Sequence, residues 1–168
     1  LLHNSNQLDI LSSTKDNDVF YDRPLKVEIW YPALLNMDEQ EKEVYDEVMG
    51  NYNDPKRPLI SFQFKGRAKR DAKIKHSETP YPLVITSHGY TGSRLMFSYL
   101  TEQLASQGYI VVSIDHTDST FRDAGPFVST LLNRSLDDLF VLDAMDKLSK
   151  DSEAFLFNLL DANNTGII

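Results

Sequence analysis

The sequence predicts an α/β fold on a mostly parallel sheet flanked by helices, and three observations within residues 82–115 carry that prediction. Leu83, Val84 and Ile85 form a continuous apolar run between Pro82 and His88-Gly89, the pattern of a strand buried on both faces. Leu95, Met96, Tyr99, Leu100 and Leu104 recur at helical spacing on one face, and Gly108 stands where a left-handed C-cap is expected. Tyr109 to Ile114 is a second continuous apolar run. Strand, turn, helix, glycine and strand make one βαβ unit, a connection that is right-handed as a rule. This core is assigned to residues 81–168, within a partial α/β domain spanning residues 1–168.

Residues 1–24 read as a polar segment, with Ser12-Ser13-Thr14 and Asp16-Asn17-Asp18 as turns. Residues 25–31 alternate apolar and polar, the sign of a half-buried strand near a sheet edge that Pro32 ends. Trp30 in that strand reads as core packing in preference to a ligand platform. Residues 36–80 read as an irregular insertion, acidic and then basic. Its acidic part, Met37 to Met49, is expected as a surface helix with Val44 and Val48 inward. Its basic run, Lys65 to His76, reads as a solvated loop, with a docking site for an acidic partner as the sharper alternative.

Beyond the second strand, Asp115-His116-Thr117-Asp118-Ser119-Thr120 is a polar cluster at a strand's carboxyl end, where ligands of open α/β sheets bind. Three readings stand open for it: a metal site, a direct catalytic role for His116, or cleft-wall structure with His116 or Asp118 hydrogen-bonded near the site. A metal needs converging ligands, whereas Asp115 and His116 point to opposite sides of a continuing strand. Asn133 or Ser135 is expected to cap a helix running to Lys150. Its apolar face comprises Leu136, Leu139, Phe140, Val141, Ala144, Met145 and Leu148. Residues 151–160 read as partly helical, residues 161–164 as a turn, and residues 165–168 as a third buried strand.

The chain has 168 residues, 17 Lys plus Arg against 25 Asp plus Glu, a net charge of −8 and no cysteine. That balance argues against a general nucleic-acid binder. The lack of cysteine excludes disulfides, thiol nucleophiles and thiolate metal sites. No apolar run approaches the roughly 18 residues of a membrane span. The first residue is Leu1, so a trimmed start is expected. Compartment and oligomeric state have no signal here.

Ser87-His88-Gly89-Tyr90-Thr91-Gly92-Ser93-Arg94 resembles the oxyanion loop of α/β-hydrolases. The nearest likeness is to the platelet-activating-factor acetylhydrolase and dienelactone-hydrolase-like branch, with cutinase-like polyester hydrolases a more distant one. Val27-Glu28-Ile29-Trp30-Tyr31-Pro32-Ala33, Gly66-Arg67-Ala68-Lys69-Arg70-Asp71-Ala72 and Asp115-His116-Thr117-Asp118-Ser119-Thr120 resemble further segments of that branch. The resemblance implies an ester hydrolase in which the backbone N–H of Tyr90 is one oxyanion donor, with substrate against Gly89, Thr91, His88 and His116. It implies no cofactor and no metal, and a small-molecule ester as the partner.

In that fold the nucleophile sits on a Gly-x-Ser-x-Gly turn, followed along the chain by the acid and the histidine. The glycines are at 50, 66, 89, 92, 108, 125 and 166, and no two lie four apart. The last histidine is His116. The expectation is therefore the amino-terminal half of a serine-type carboxylic ester hydrolase, cut before the nucleophile elbow and inactive by itself. Ser87 and Ser93 read as structural, and no Ser–His–Asp set emerges from sequence spacing. The alternative is a noncatalytic α/β binding module of Rossmann or flavodoxin type, although Gly89 and Gly92 do not make a Gly-x-Gly-x-x-Gly fingerprint.

Overall fold

In the computed structural model, which describes residues 1–35 and 42–168, seven strands and two helices follow one another among the described residues. They are β1 (Leu2–Leu8), β2 (Phe20–Trp30), β3 (Val44–Met49), β4 (Ile60–Lys65), β5 (Tyr81–Ser87), α1 (Ser98–Ser106), β6 (Ile110–Asp115), α2 (Phe127–Lys150) and β7 (Leu160–Ile167). Five strands form one sheet in the order β1-β2-β6-β5-β7. β5 runs parallel to both β6 and β7, whereas β2 is antiparallel to both β1 and β6. The sheet is thus mixed, where a mostly parallel one was expected.

β5 and β6 sit at the centre because their side chains are apolar on both faces. Leu83, Ile85, Ile110, Val112 and Ile114 pack on one side with Leu25 of β2 and Val141 and Met145 of α2. Val84 and Val111 pack on the other with Trp30, Tyr45, Leu95 and Ala105. Each fully buried aliphatic side chain contributes about 1.5–3 kcal/mol. Trp30 is core, as expected, and its indole N–H donates to the Tyr45 hydroxyl at 2.9 Å. That hydroxyl in turn donates to Glu102 at 2.8 Å.

Several local expectations give way to tertiary partners. Residues 1–24 form β1 and the start of β2, so β2 lies inside the sheet. The acidic segment is a strand where it is described: β3 pairs antiparallel with β4, burying Tyr45 and Val48 and leaving Val44 exposed. The amino-terminal part of the expected helix, residues 37–41, lies outside the described residues. The basic run is tied down, since Arg70 bridges Glu28 at 2.7 Å and Glu43 at 3.2 Å. The amide N–H groups of Arg67 and Ala68 donate to Glu102 at 2.8 and 3.2 Å.

Helix α1 buries Ser98, Thr101 and Ala105, while Met96 and Tyr99 face outward. Small side chains let its backbone lie close to the sheet. Ser93 does not cap it: residues 94–97 turn first, and the Ser93 hydroxyl accepts from the Leu95 N–H at 3.2 Å. Helix α2 begins six residues before Asn133, directly after Pro126, whose φ of −59° suits a helix start. β-branched Val128 and Thr130 disguise that first turn. Leu139 faces solvent. The buried residues of α2 are Ser129, Thr130, Asn133, Asp137, Val141, Met145 and Ser149, polar up to Asp137 toward the strands' carboxyl ends and apolar at Val141 and Met145. Residues 151–159 are turns, and the expected turn at 161–164 is a register shift within β7, where Pro82 pairs with Asp161 and Leu83 with Thr165.

Gly108 terminates α1 as expected, at φ +96°. Its N–H donates to the Ala105 carbonyl at 3.2 Å and the Tyr109 N–H to the Leu104 carbonyl at 3.3 Å, the paired bonds of a Schellman motif. A Cβ at Gly108 would meet nothing closer than the Tyr81 ring at 4.0 Å. Gly108→Ala should therefore lose only the left-handed backbone preference, about 1–2 kcal/mol, read as a lower urea midpoint with an unchanged m-value.

Candidate functional site

The carboxyl ends of β5 and β6 and the polar half of α2 meet in one hydrogen-bonded system. Ser87, the last residue of β5, lies with its Oγ 2.8 Å from His116 Nε2. His116 Nδ1 lies 2.9 Å from Asp137 Oδ2. A carboxylate only accepts, so Nδ1 donates, and in the tautomer with its one proton on Nδ1 the Nε2 accepts the Ser87 hydroxyl proton. The structure thus assembles a Ser–His–Asp series that sequence spacing had not.

Asp137 is held from the other side by Arg23. The Arg23 Nε and Nη2 donate to Asp137 Oδ1 and Oδ2 at 2.7 and 3.0 Å, the two-pronged geometry a guanidinium makes with a carboxylate. The remaining N–H groups reach Thr117 O at 2.7 Å, Asp118 Oδ2 at 3.0 Å and Tyr21 Oη at 3.1 Å. Burial works against the charge, but the hydrogen bond and charge of Asp137 keep the guanidinium above its ordinary pKa. His116 and Asp118 are thus both hydrogen-bonded into this system, His116 through Ser87 and Asp137 and Asp118 through Arg23.

Arg134, one turn before Asp138 on α2, reaches the same spot. It donates to Ser87 Oγ at 3.2 Å, to Ser119 Oγ at 2.9 Å and to the carbonyl oxygen of His88. Among the described residues it makes no ion pair, and burial lowers its pKa against the pull of Asp138 and Asp137. Burial raises the Asp138 carboxyl, opposed by His116 and Arg134. Ser87, His88, Tyr90, Phe127, Leu131, Arg134 and Asp138 are among the residues lining an open cleft of about 470 Å³.

The expected loop residues are placed as follows. Tyr90 is exposed at the rim, its ring 5.3 Å from Phe127 and its hydroxyl donating to Gly125 O at 2.6 Å. Thr91 follows it, half-buried. His88 and His116 are each 1% exposed and face inward, so their rings line the protein side of the loop. Gly89 has no left-handed φ, and a Cβ there would meet nothing within 4 Å. The turn does not need its flexibility; what Gly89 leaves is open space. Gly92 is the constrained one, since its Cβ would stand 2.7 Å from His88 Nδ1. No group of three or more His, Cys, Asp or Glu among the described residues is placed to hold a metal ion.

A family model for platelet-activating factor acetylhydrolase, isoform II, matches residues 58–130, from just before β4 into α2. Two curated relatives carry the name platelet-activating factor acetylhydrolase. The one from Gallus gallus is 38% identical over 53 residues, 32% of this chain and 12% of that protein. The one from Cavia porcellus is 40% identical over 62 residues, 37% of this chain and 14% of that protein. The matched stretch is thus about an eighth of the relatives' length. A solved ferulic acid esterase from Streptomyces cinnamoneus aligns with TM-score 0.48 and 22% identity, over 87% of this chain and 44% of that one.

Two outcomes are expected. Asp137→Ala would strand the buried Arg23 charge, costing about 3–5 kcal/mol, and an Arg23→Met, Asp137→Leu pair should recover much of that loss in urea titrations. Burial depresses the His88 pKa from 6.5 to about 4. The unfolded chain therefore takes up that proton first as pH falls. The His88 contribution, on the order of 3 kcal/mol at most, is complete above pH 6.5 and declines between 6.5 and about 4. Stability measured against pH should slope less over this window in His88→Gln than in the wild type.

Proposed function

The chain resembles the platelet-activating-factor acetylhydrolase branch through its middle third and more, and we propose that it supplies the oxyanion-loop part of a serine-type carboxylic ester hydrolase. The substrate would be a small ester of the short-chain or phospholipid-acetyl kind. The nucleophile and its base would come from outside the 168 residues. The observation that carries this reading is the Tyr90 N–H: among the described residues it meets no acceptor, beside an open cleft and within the matched stretch. Donors aimed at a developing oxyanion are the main electrostatic device of acyl transfer. In the complete protein, Tyr90→Pro should cut ester turnover by about 10²–10³-fold, with circular dichroism and melting temperature unchanged. Tyr90→Phe should stay within a few-fold. A folded Tyr90→Pro enzyme with near-normal turnover would overturn the assignment.

One observation favours a second reading, in which Ser87 is itself the nucleophile: the Ser87–His116–Asp137 series has the connectivity of a catalytic triad. Two features weigh against it. Arg23 already neutralises Asp137, which reduces the field available to an imidazolium at His116. Arg134 occupies a lone pair of the Ser87 oxygen that would attack. The two readings part on one measurement. The first expects the 168-residue chain to leave p-nitrophenyl acetate unhydrolysed and a fluorophosphonate unreacted, whereas the second expects a covalent adduct on Ser87, found by peptide mass spectrometry and lost in Ser87→Ala.

A further inference from the structure

We infer that His88 is a positioning residue that aims the Tyr90 N–H into the cleft by holding the Gly89 carbonyl from inside, an inference that rests on the Tyr90 amide being the oxyanion donor. The backbone N–H of His116 donates to His88 Nε2 at 3.3 Å, so Nε2 accepts and the proton of the neutral ring sits on Nδ1. Nδ1 lies 2.7 Å from the carbonyl oxygen of Gly89 and donates to it. The Gly89–Tyr90 peptide is trans, and in a trans peptide the C=O and N–H point in opposite directions. Turning the Gly89 carbonyl in toward a buried ring therefore turns the Tyr90 N–H out.

Two further contacts fix this arrangement. Gly92 supplies the room, since a Cβ there would stand 2.7 Å from Nδ1 and 3.0 Å from the Gly89 oxygen, inside the hydrogen bond's own space. Gly92 is itself fastened, its N–H donating to Ser119 O and its carbonyl accepting from the Phe121 N–H, both at 3.1 Å. Arg134 takes the preceding carbonyl, that of His88. Two successive carbonyls of the loop are thus held, one from inside by an imidazole and one by a guanidinium that lines the cleft. The spacing of histidine and two glycines in His88-Gly89-Tyr90-Thr91-Gly92 is accounted for by this bond: the ring donates one residue on, and the second glycine clears its path.

The test separates the two ring nitrogens. Asparagine places an amide N–H near the position of Nδ1, and glutamine reaches the position of Nε2. In the complete protein, His88→Gln should lower kcat for a small ester by about 10–10²-fold with KM little changed, whereas His88→Asn should keep kcat within about threefold. Tyr90→Pro is run beside them. Full kcat in both His88 variants, or equal losses in both, with Tyr90→Pro impaired, would overturn the positioning role alone. Normal turnover in Tyr90→Pro would remove the oxyanion reading and this inference with it. Should the variants fold poorly, long-range ¹H–¹⁵N correlation on the wild-type protein reads the tautomer directly: a proton on Nδ1 of His88 is expected, and one on Nε2 overturns the proposal.

Discussion

The buried pair of Arg23 and Asp137 is the constraint on which the rest of the cleft depends. Their side chains are 1% and 0% exposed, and removing two such charges from water costs several kcal/mol per ion unless every polar atom is met. Here all five guanidinium N–H groups find acceptors, from a strand, a loop and a helix. That completeness is geometric information. It fixes α2 against β2, fixes the loop after β6 by Thr117 and Asp118, and presents the second oxygen of Asp137 to His116. His116 then meets Ser87 at the end of β5, so β2, the loop after β6, α2 and β5 share one set of distances.

The apolar part of the fold was legible locally and the polar part was not. The β5–α1–β6 unit could be read because continuous apolar runs, a helical period and a left-handed glycine are each a matter of a few adjacent residues. The system around Arg23 joins residues 114 apart to Asp137, and His116 lies 29 residues from Ser87 and 21 from Asp137, so no spacing along the chain announces it. The same holds for β3: its acidic residues suit an exposed helix until Phe64 on β4 gives Tyr45 a partner to pair against. Asn133 looked like a cap because a capping residue and a buried polar residue are the same amino acid. It is 7% exposed, bonded to Ser129 and to Gln7, well inside the helix.

Three glycines show how one residue type answers three different demands. Gly108 is required by its backbone angle, with free space around it. Gly92 has an ordinary backbone and no free space, because the His88 ring and the Gly89 carbonyl fill the place of its side chain. Gly89 has neither constraint, and a Cβ there would meet nothing within 4 Å. Sequence inspection assigns all three to turns. Only the second is explained by a hydrogen bond, and only the third has neither an unusual backbone angle nor a neighbour within reach of a side chain.

The electrostatics around Ser87 follow from the same accounting. Its single hydroxyl proton has His116 Nε2 at 2.8 Å to go to, and its oxygen accepts from Arg134 at 3.2 Å. The anion behind His116 is shared with Arg23, and the cation beside Ser87 is spent on the carbonyl of His88 and the hydroxyl of Ser119. The charges of Arg23 and Asp137 therefore answer each other, whereas among the described residues Arg134 meets only neutral oxygens. One oxygen of Asp138, 3.7 Å from His116 Nε2, has no hydrogen-bond partner among the described residues. In an acid–base relay the carboxylate orients the imidazole and stabilises the imidazolium that forms, and here Asp137 divides that field between His116 and Arg23. The cluster also holds backbone: the carbonyls of His88 and Gly89 accept from Arg134 and the His88 ring, and the His116 N–H donates to that same ring.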